Sequence, residues 1–180
     1  MARCAQPYLG FYTAFLRPHG FKSLINLRGE NTALGWWRKE KRVTQELGIA
    51  HFDVKLSSRN LLSRSALFSL MEALERAPTP LLLKCSGGQD RTSLAAAVYL
   101  LGRYGPAALG EAQAQFAFWP YLHRPKKNQR WLKQFPAFAA GEVRGMRLIE
   151  WARSGYDPVA FAAWLAARGL PKSFGALQAE

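Results

Sequence analysis

The residues from Cys85 to Thr92, Cys-Ser-Gly-Gly-Gln-Asp-Arg-Thr, place a thiol, two glycines and an arginine in one short segment. Gly87 and Gly88 let successive backbone N–H groups turn inward and form a concave site for an anion. A cysteine at the base of such a site is favoured as the thiolate, which is a nucleophile. Arg91 can fold back and hold two oxygens of a tetrahedral oxyanion. This segment, the anion loop (residues 85–92), predicts nucleophilic attack on a bound phosphate group.

A cysteine and an arginine at this spacing are weak evidence alone, because a buried cysteine is usually an inert small hydrophobe. The glycine pair, the preceding apolar strand and the helix that follows strengthen the prediction. Within the anion loop, Ser86 and Gln89 contribute mainly backbone donors and the shape of the pocket. Thr92 is placed to hydrogen-bond the sulfur when it departs from phosphorus. We therefore predict that the substrate-binding residues are Ser86, Gly87, Gly88, Gln89 and Thr92.

Short apolar strands alternate with helices around this loop. Strands are predicted at residues 21–28, 49–56 and 81–84, and helices at about 33–47, from Ser63 or Ser65 to about 76, and from about 92 to 104. This order predicts an α/β fold with a central, mostly parallel sheet flanked by helices. Ligands of such sheets bind at the carboxyl ends of the strands, where Cys85 lies.

The chain from Pro106 onward is predicted to be helical. Helices are expected at 111–118 and near 142–153 and 157–168, with a basic turn at 123–127 and with Asp157 and Pro158 as the cap and first turn of the last helix. We expect one domain over residues 1–180, with a core of about 1–120 and a helical flank of about 121–180. A separate helical subdomain is the alternative.

The amino-acid composition indicates which classes of partner and which compartment suit this chain. The chain has 25 Lys and Arg residues against 12 Asp and Glu, a formal net charge of +13, which attracts phosphorylated proteins, inositol phosphates, nucleic acid or an anionic membrane surface. Two cysteines, Cys4 and Cys85, are too few for a disulfide framework and favour a reducing compartment. The sequence shows neither a signal peptide nor a membrane span, so we expect a cytoplasmic protein.

Nucleic acid is not an expected partner, because the six tryptophans have a spacing typical of a core and no zinc ligand set or Walker loop accompanies them. Arg28 and Arg59 fall in loops at the edge of the sheet that carries Cys85. They are candidates to extend the anionic-ligand surface, although such arginines are more often simply solvated. His123 is expected to be structural or exposed rather than catalytic.

The anion loop resembles the Cys-x5-Arg-Ser/Thr signature of the protein-tyrosine and dual-specificity phosphatases, and its Cys-Ser-x-Gly-x-Asp-Arg-Thr pattern is similar to that of the myotubularin lipid phosphatases. Residues 3–7 and 25–30 are similar to segments of atypical bacterial and fungal dual-specificity phosphatases, so the resemblance covers roughly residues 3–105. It implies a thiophosphoryl-enzyme intermediate that water hydrolyses, with no metal and no organic cofactor. The implied substrates are phosphorylated proteins, or else phosphoinositides and inositol phosphates, which the basic charge favours slightly.

The chain departs from the family pattern at two places. Lys84 stands where most members carry a histidine before the nucleophile, and residues 57–60 supply no acid where many members have one. Asp90 matches the loop aspartate of the myotubularins, so we expect Cys85, Arg91 and Asp90 to be the catalytic residues. Asp53, on the polar face of its strand, and Glu30 are the other candidates for the acid.

The departures leave other functions open. A pseudophosphatase that binds phosphate without turnover is one alternative. A redox or sulfur-transfer protein is disfavoured, since Cys4 could resolve Cys85 only if it folded close. Relatives have a strand leading into the segment that begins at Arg3, which predicts an incomplete first strand. The oligomeric state is left open.

Overall fold

The computed structural model describes residues 1–176 and contains a four-stranded sheet in the order β1-β4-β2-β3. The strands are Ala2–Cys4 (β1), Ser23–Asn26 (β2), Ala50–Asp53 (β3) and Leu81–Lys84 (β4). All three pairings are parallel, with Ala2 opposite Leu82 at the β1–β4 pairing. The predicted α/β fold with a parallel sheet is therefore confirmed, and the strand that leads into Cys85 lies inside the sheet.

Eight α-helices accompany the strands in the described residues: Tyr12–Leu16 (α1), Gly35–Glu46 (α2), Arg64–Arg76 (α3), Asp90–Tyr104 (α4), Leu109–Ala114 (α5), Phe135–Glu142 (α6), Leu148–Glu150 (α7) and Pro158–Ala166 (α8). Short 3-10 turns lie at Leu9–Phe11, Arg17–His19, Gly105–Ala108, Lys127–Gln129 and Leu132–Gln134, and a π turn lies at Trp151–Gly155. Across residues 1–176, none of these helices has the length and apolar character needed to cross a membrane.

The two faces of the sheet are covered by different helices. Leu82 packs with Val43 of α2 and Tyr12 of α1 in the smaller apolar cluster. Leu81 and Leu83 join a larger cluster with α3, α4 and the helices after them. Every residue of β4 is buried, as expected for a strand of a parallel sheet that is covered on both faces.

Two helix caps that the sequence predicts are confirmed. The Ser63 hydroxyl accepts a hydrogen bond from Ala66 N at 3.1 Å, which fixes the start of α3. The Asp157 carboxylate accepts one from Val159 N at 2.8 Å and starts α8. Each such cap stabilises a helix by about 1 kcal/mol.

The helical flank differs from the prediction between residues 135 and 153. The helix there is α6, and Arg144 and Gly145 follow it with φ of +40° and +85°. Those backbone angles end a right-handed helix, so the expected continuous helix at 142–153 is replaced by a break and the short α7. The aromatic rings of Phe135 and Phe161 meet edge to face at 5.6 Å and belong to the same apolar cluster as α3 and α4.

Candidate active site

The anion loop connects β4 to α4 and holds its predicted nucleophile at the base. The Cys85 side chain is 3% exposed. Gly88 N–H donates to Cys85 Sγ at 3.2 Å, and the Arg91 guanidinium donates to Ser86 Oγ at 3.0 Å. Since α4 begins at Asp90, its first unpaired N–H groups also face this loop. The structure therefore brings the thiol, a backbone donor, the arginine and a helix N-terminus together, an arrangement suited to a bound oxyanion.

Both the backbone conformation and the lack of space for a side chain require a glycine at position 88. Its φ is +67°, and a Cβ at this position would lie 2.6 Å from Ala5 N and 2.8 Å from the Cys4 carbonyl carbon. The end of β1 therefore presses directly against the loop. A Cβ at Gly87 would meet no atom within 4 Å, so the packing requirement falls on the second glycine.

Arg3 holds the anion loop and the start of α4 through several hydrogen bonds. Its guanidinium donates to Ser93 Oγ at 2.6 Å, to Gln89 O at 3.3 Å and to Gln115 O at 3.1 Å. It also lies 4.1 Å from the centre of the Tyr121 ring. Burial lowers the pKa of Arg3 from its ordinary value. Arg3 is thus a positioning residue that ties β1, the loop and the segment after α5 together.

Thr92 is buried, and its hydroxyl is engaged within the loop. It donates to Gln89 O at 3.1 Å and accepts from Arg3 at 3.4 Å. The sequence placed this hydroxyl on the sulfur, but in the structure the donor to Cys85 Sγ is Gly88 N–H. Thr92 therefore braces the turn into α4.

Gln6 connects β1 to three parts of the site. Its backbone N–H donates to Ser86 O at 3.0 Å. Its side-chain oxygen accepts from Lys84 Nζ at 2.9 Å and from the Arg28 guanidinium at 3.0 Å. This amide therefore links the residue before the nucleophile to a second arginine.

The residue before the nucleophile forms a buried ion pair. Lys84 Nζ lies 2.7 Å from Glu40 Oε2, and neither side chain is exposed. Burial lowers the pKa of Lys84, although Glu40 opposes the shift. For Glu40, burial acts to raise the pKa, but the neighbouring His51, Lys84 and Tyr12 outweigh it, so the pKa is lowered. The Tyr12 hydroxyl donates to Glu40, and Gln6 donates to Tyr12.

Arg28 places a second cation beside the anion loop. Its guanidinium stacks over the Trp36 ring at 3.7 Å and bonds Gln6. Burial, and then repulsion from the nearby Arg91, lower the pKa of Arg28. Arg59, which the sequence grouped with Arg28, is exposed. Arg28 is therefore a better candidate than Arg59 to extend the surface that binds an anionic ligand.

Asp90 begins α4 and contacts two residues of the helical flank. Its Oδ2 accepts from Gln129 Nε2 at 2.8 Å, and its Oδ1 lies 3.3 Å from His123 Nε2. The Asp90 side chain is 26% exposed, whereas that of His123 is buried. Asp90 thus has access to solvent while its orientation is fixed. No sequence signal pointed to Gln129, and His123 was expected to be structural or exposed.

The other two acid candidates lie outside the anion loop. Asp53 Oδ1 accepts from Asn26 Nδ2 at 2.7 Å and from Trp37 Nε1 at 3.0 Å. It ends β3, and β2 separates that strand from β4. Glu30 is exposed and directly follows Gly29. Of the three candidates, Asp90 is the one within the anion loop.

Cys4 and Cys85 are both free thiols, and they belong to apolar clusters on opposite faces of the sheet. Burial raises the pKa of Cys4 to about 12. Cys4 is therefore protonated at neutral pH and poorly suited to attack a partner sulfur. This arrangement argues against the redox alternative.

No family model matches the chain, and no curated protein matches it either. Solved structures do match. The core catalytic domain of the PP-IP phosphatase Siw14 from S. cerevisiae superposes with a TM-score of 0.51 and 18% identity, over 93% of this chain and 87% of that chain. TpbA of P. aeruginosa gives a TM-score of 0.47 and 17% identity, over 91% and 84%. The chain therefore has the fold of the protein-tyrosine/dual-specificity phosphatase superfamily.

Proposed function

We propose that this protein is a cysteine-dependent phosphomonoester hydrolase of the tyrosine/dual-specificity phosphatase type. The observation that carries the proposal is the contact of Gly88 N–H with Cys85 Sγ, in the same loop as the Arg91 guanidinium. A structural cysteine needs neither a backbone donor on its sulfur nor an arginine folded over its loop. The fold adds support, since the catalytic core of the phosphatase Siw14 shares it.

In the first step the Cys85 thiolate attacks phosphorus. The S–P bond forms while the P–O bond to the leaving group breaks, and Asp90 gives its proton to the departing oxygen. The loop N–H groups and Arg91 hold the three non-bridging oxygens as negative charge shifts among them. One such donor typically contributes about 10²- to 10³-fold in rate.

In the second step water hydrolyses the thiophosphoryl intermediate. The Asp90 carboxylate accepts a proton from the water, whose oxygen attacks phosphorus as the S–P bond breaks. Inorganic phosphate leaves and the thiolate returns, stabilised by Gly88 N–H at 3.2 Å. The proton that Asp90 lost in the first step is thereby restored.

The direct test is phosphate release from a generic aryl phosphate. We expect turnover by the native protein, its loss in Cys85→Ser, and its retention in the matched control Cys4→Ser. Vanadate or phosphate binding without any turnover by the native protein would contradict the proposal and favour the phosphate-binding pseudophosphatase.

A second candidate function is hydrolysis of phosphoinositides or inositol phosphates, and Arg28 is the observation that favours it. A cation that stacks on Trp36 beside Arg91 suits a substrate with more than one phosphate group. Siw14, which shares this fold, is described as a PP-IP phosphatase. We expect Arg28→Ala to lower kcat/KM for a multiply phosphorylated inositol about tenfold or more and to affect an aryl phosphate far less. Arg59→Ala is the control, and equal losses on both substrates would argue against this candidate.

A further inference from the structure

Three large apolar side chains protrude next to the anion loop. Phe118 is 62% exposed, Trp119 77% and Leu122 47%. The backbone N–H of Leu122 donates to Phe118 O and closes a tight turn, in which Leu122 has a φ of +52°. Left-handed backbone at a leucine is uncommon and persists where the surroundings impose it. We call residues 118–122 the apolar turn.

The apolar turn is anchored to the proposed site at its base. His123, the next residue, is buried and lies 3.3 Å from Asp90. Tyr121 and Leu122 line, together with Gly87 and Gly88, a cavity of about 460 Å³ behind the anion loop. The exposed side chains therefore stand beside the catalytic machinery.

A basic segment follows the apolar turn directly. Arg124, Lys126, Lys127 and Arg130 are all exposed. The sequence contains no Asp or Glu between Glu111 and Glu142, so neighbouring residues along the chain do not neutralise these charges. Positive charge and protruding aromatic residues are thus combined on one stretch of the surface.

We propose that the apolar turn and this basic segment dock the protein on an anionic lipid bilayer. Trp and Phe side chains partition into the boundary between headgroups and acyl chains, and exposed Lys and Arg are attracted to anionic headgroups. A soluble phosphate ester would need the charges but not the protruding rings. Docked in this way, the protein presents its anion loop to headgroup phosphates, a consequence that rests on the proposed function, whereas the docking itself does not.

The test is co-sedimentation of the full chain with vesicles of phosphatidylcholine alone and of phosphatidylcholine mixed with phosphatidylglycerol. We expect binding to the mixed vesicles that weakens with salt. Phe118→Ser/Trp119→Ser should weaken it about tenfold or more. Lys126→Glu/Lys127→Glu should weaken it about 25-fold or more, at about fivefold for each lysine charge removed. The matched controls are Tyr104→Ser, an exposed aromatic elsewhere, and Arg42→Glu, an exposed cation on α2.

Equal vesicle binding by the two double variants and the two control variants would overturn the proposal. Equal binding of the native protein to both kinds of vesicle would also overturn it. A Lys126→Glu/Lys127→Glu protein that binds vesicles normally but loses turnover of a phosphotyrosine peptide would instead assign the surface to phosphoproteins. Because vesicle binding needs no chemistry, Cys85→Ser should co-sediment like the native protein. Failure of docking is therefore distinguishable from failure of catalysis.

Discussion

Lys84 Nζ lies 2.7 Å from Glu40 Oε2, and both side chains are fully buried. Lys84 directly precedes Cys85 in the chain. Burying two charges costs several kcal/mol per ion, which close contact and further hydrogen bonds must offset. Gln6 supplies one such bond to the ammonium group, and Tyr12 supplies one to the carboxylate. Each buried charge is therefore tolerated only because the other charge of the pair lies next to it.

Removing one partner should destabilise the fold strongly. We expect Lys84→Met to lower the free energy of unfolding by about 3 to 5 kcal/mol, because it leaves the Glu40 carboxylate buried without its counter-ion. The double variant Lys84→Met/Glu40→Leu should cost less than the sum of the two single changes. Urea unfolding of the four proteins measures this coupling, and additive losses would show that the two charges do not depend on each other.

Glu40 should also contribute to acid unfolding. Its folded pKa lies below the ordinary 4.5. Between the folded and unfolded values the unfolded chain binds more protons, so stability falls as pH falls through this range. The stabilisation is therefore complete above about pH 5 and is lost below it. We expect Glu40→Gln to be less stable at neutral pH and to lose less on acidification; parallel stability curves for the two proteins would contradict the assignment.

The two glycines of the anion loop should respond differently to a methyl group. Gly88→Ala forces a Cβ against Ala5 N in a left-handed conformation, so we expect a loss of about 1 to 3 kcal/mol in stability and of about a hundredfold or more in kcat/KM. Gly87→Ala, where the added carbon meets open space, is the matched control and should retain stability within about 1 kcal/mol. Equal effects at the two positions would contradict the packing of β1 against the loop.

Proton donation by Asp90 should depend on the leaving group. We expect Asp90→Asn to slow hydrolysis of phenyl phosphate about 10²- to 10⁴-fold and to affect p-nitrophenyl phosphate much less, because nitrophenolate departs without a proton. Asp53→Asn should show no such dependence, since its carboxylate bonds Asn26 and Trp37. A leaving-group effect in Asp53→Asn and none in Asp90→Asn would reassign the acid.

Cys4 should resist alkylation in the folded protein. With its pKa raised to about 12, almost none of this thiol is ionised at mildly alkaline pH. We expect Cys85→Ser to incorporate no iodoacetamide label until it is unfolded in urea, when Cys4 reacts, as mass spectrometry would show. Rapid labelling of folded Cys85→Ser would mean that the thiol is ionised and accessible.

The sequence was most informative where the chemistry is local. Cys85 and Arg91 are six residues apart, so the strand, glycine turn and helix between them can be recognised from neighbouring residue types. The predicted strand at 49–56 was too long, because β2 ends at Asn26 and the parallel ladder with β3 ends at the Asn26–Asp53 pair. Val54 is buried although it lies beyond the end of β3. Its apolar side chain therefore fits the core and does not indicate that the strand continues.

The residues that support the site could not be found in the same way. Four residues contact the anion loop from distant positions in the chain: Arg3, Gln6, His123 and Gln129. A single arginine or glutamine forms no sequence motif that would predict such a contact. His123 was expected to be structural or exposed, and its contact with Asp90 could not be foreseen because Asp90 comes 33 positions earlier, by subtraction of their numbers. Only tertiary packing brings them together.

The pairing of Ala2 with Leu82 also has a consequence for biosynthesis. The first strand leaves the ribosome 80 residues before its partner, the difference of those two numbers, which is about 4 to 16 seconds at ordinary rates of translation. During that interval the N-terminal segment has no β4 to pair with, and Arg3 has no loop to hold. A nascent chain that has not yet reached β4 therefore cannot assemble the anion loop against β1.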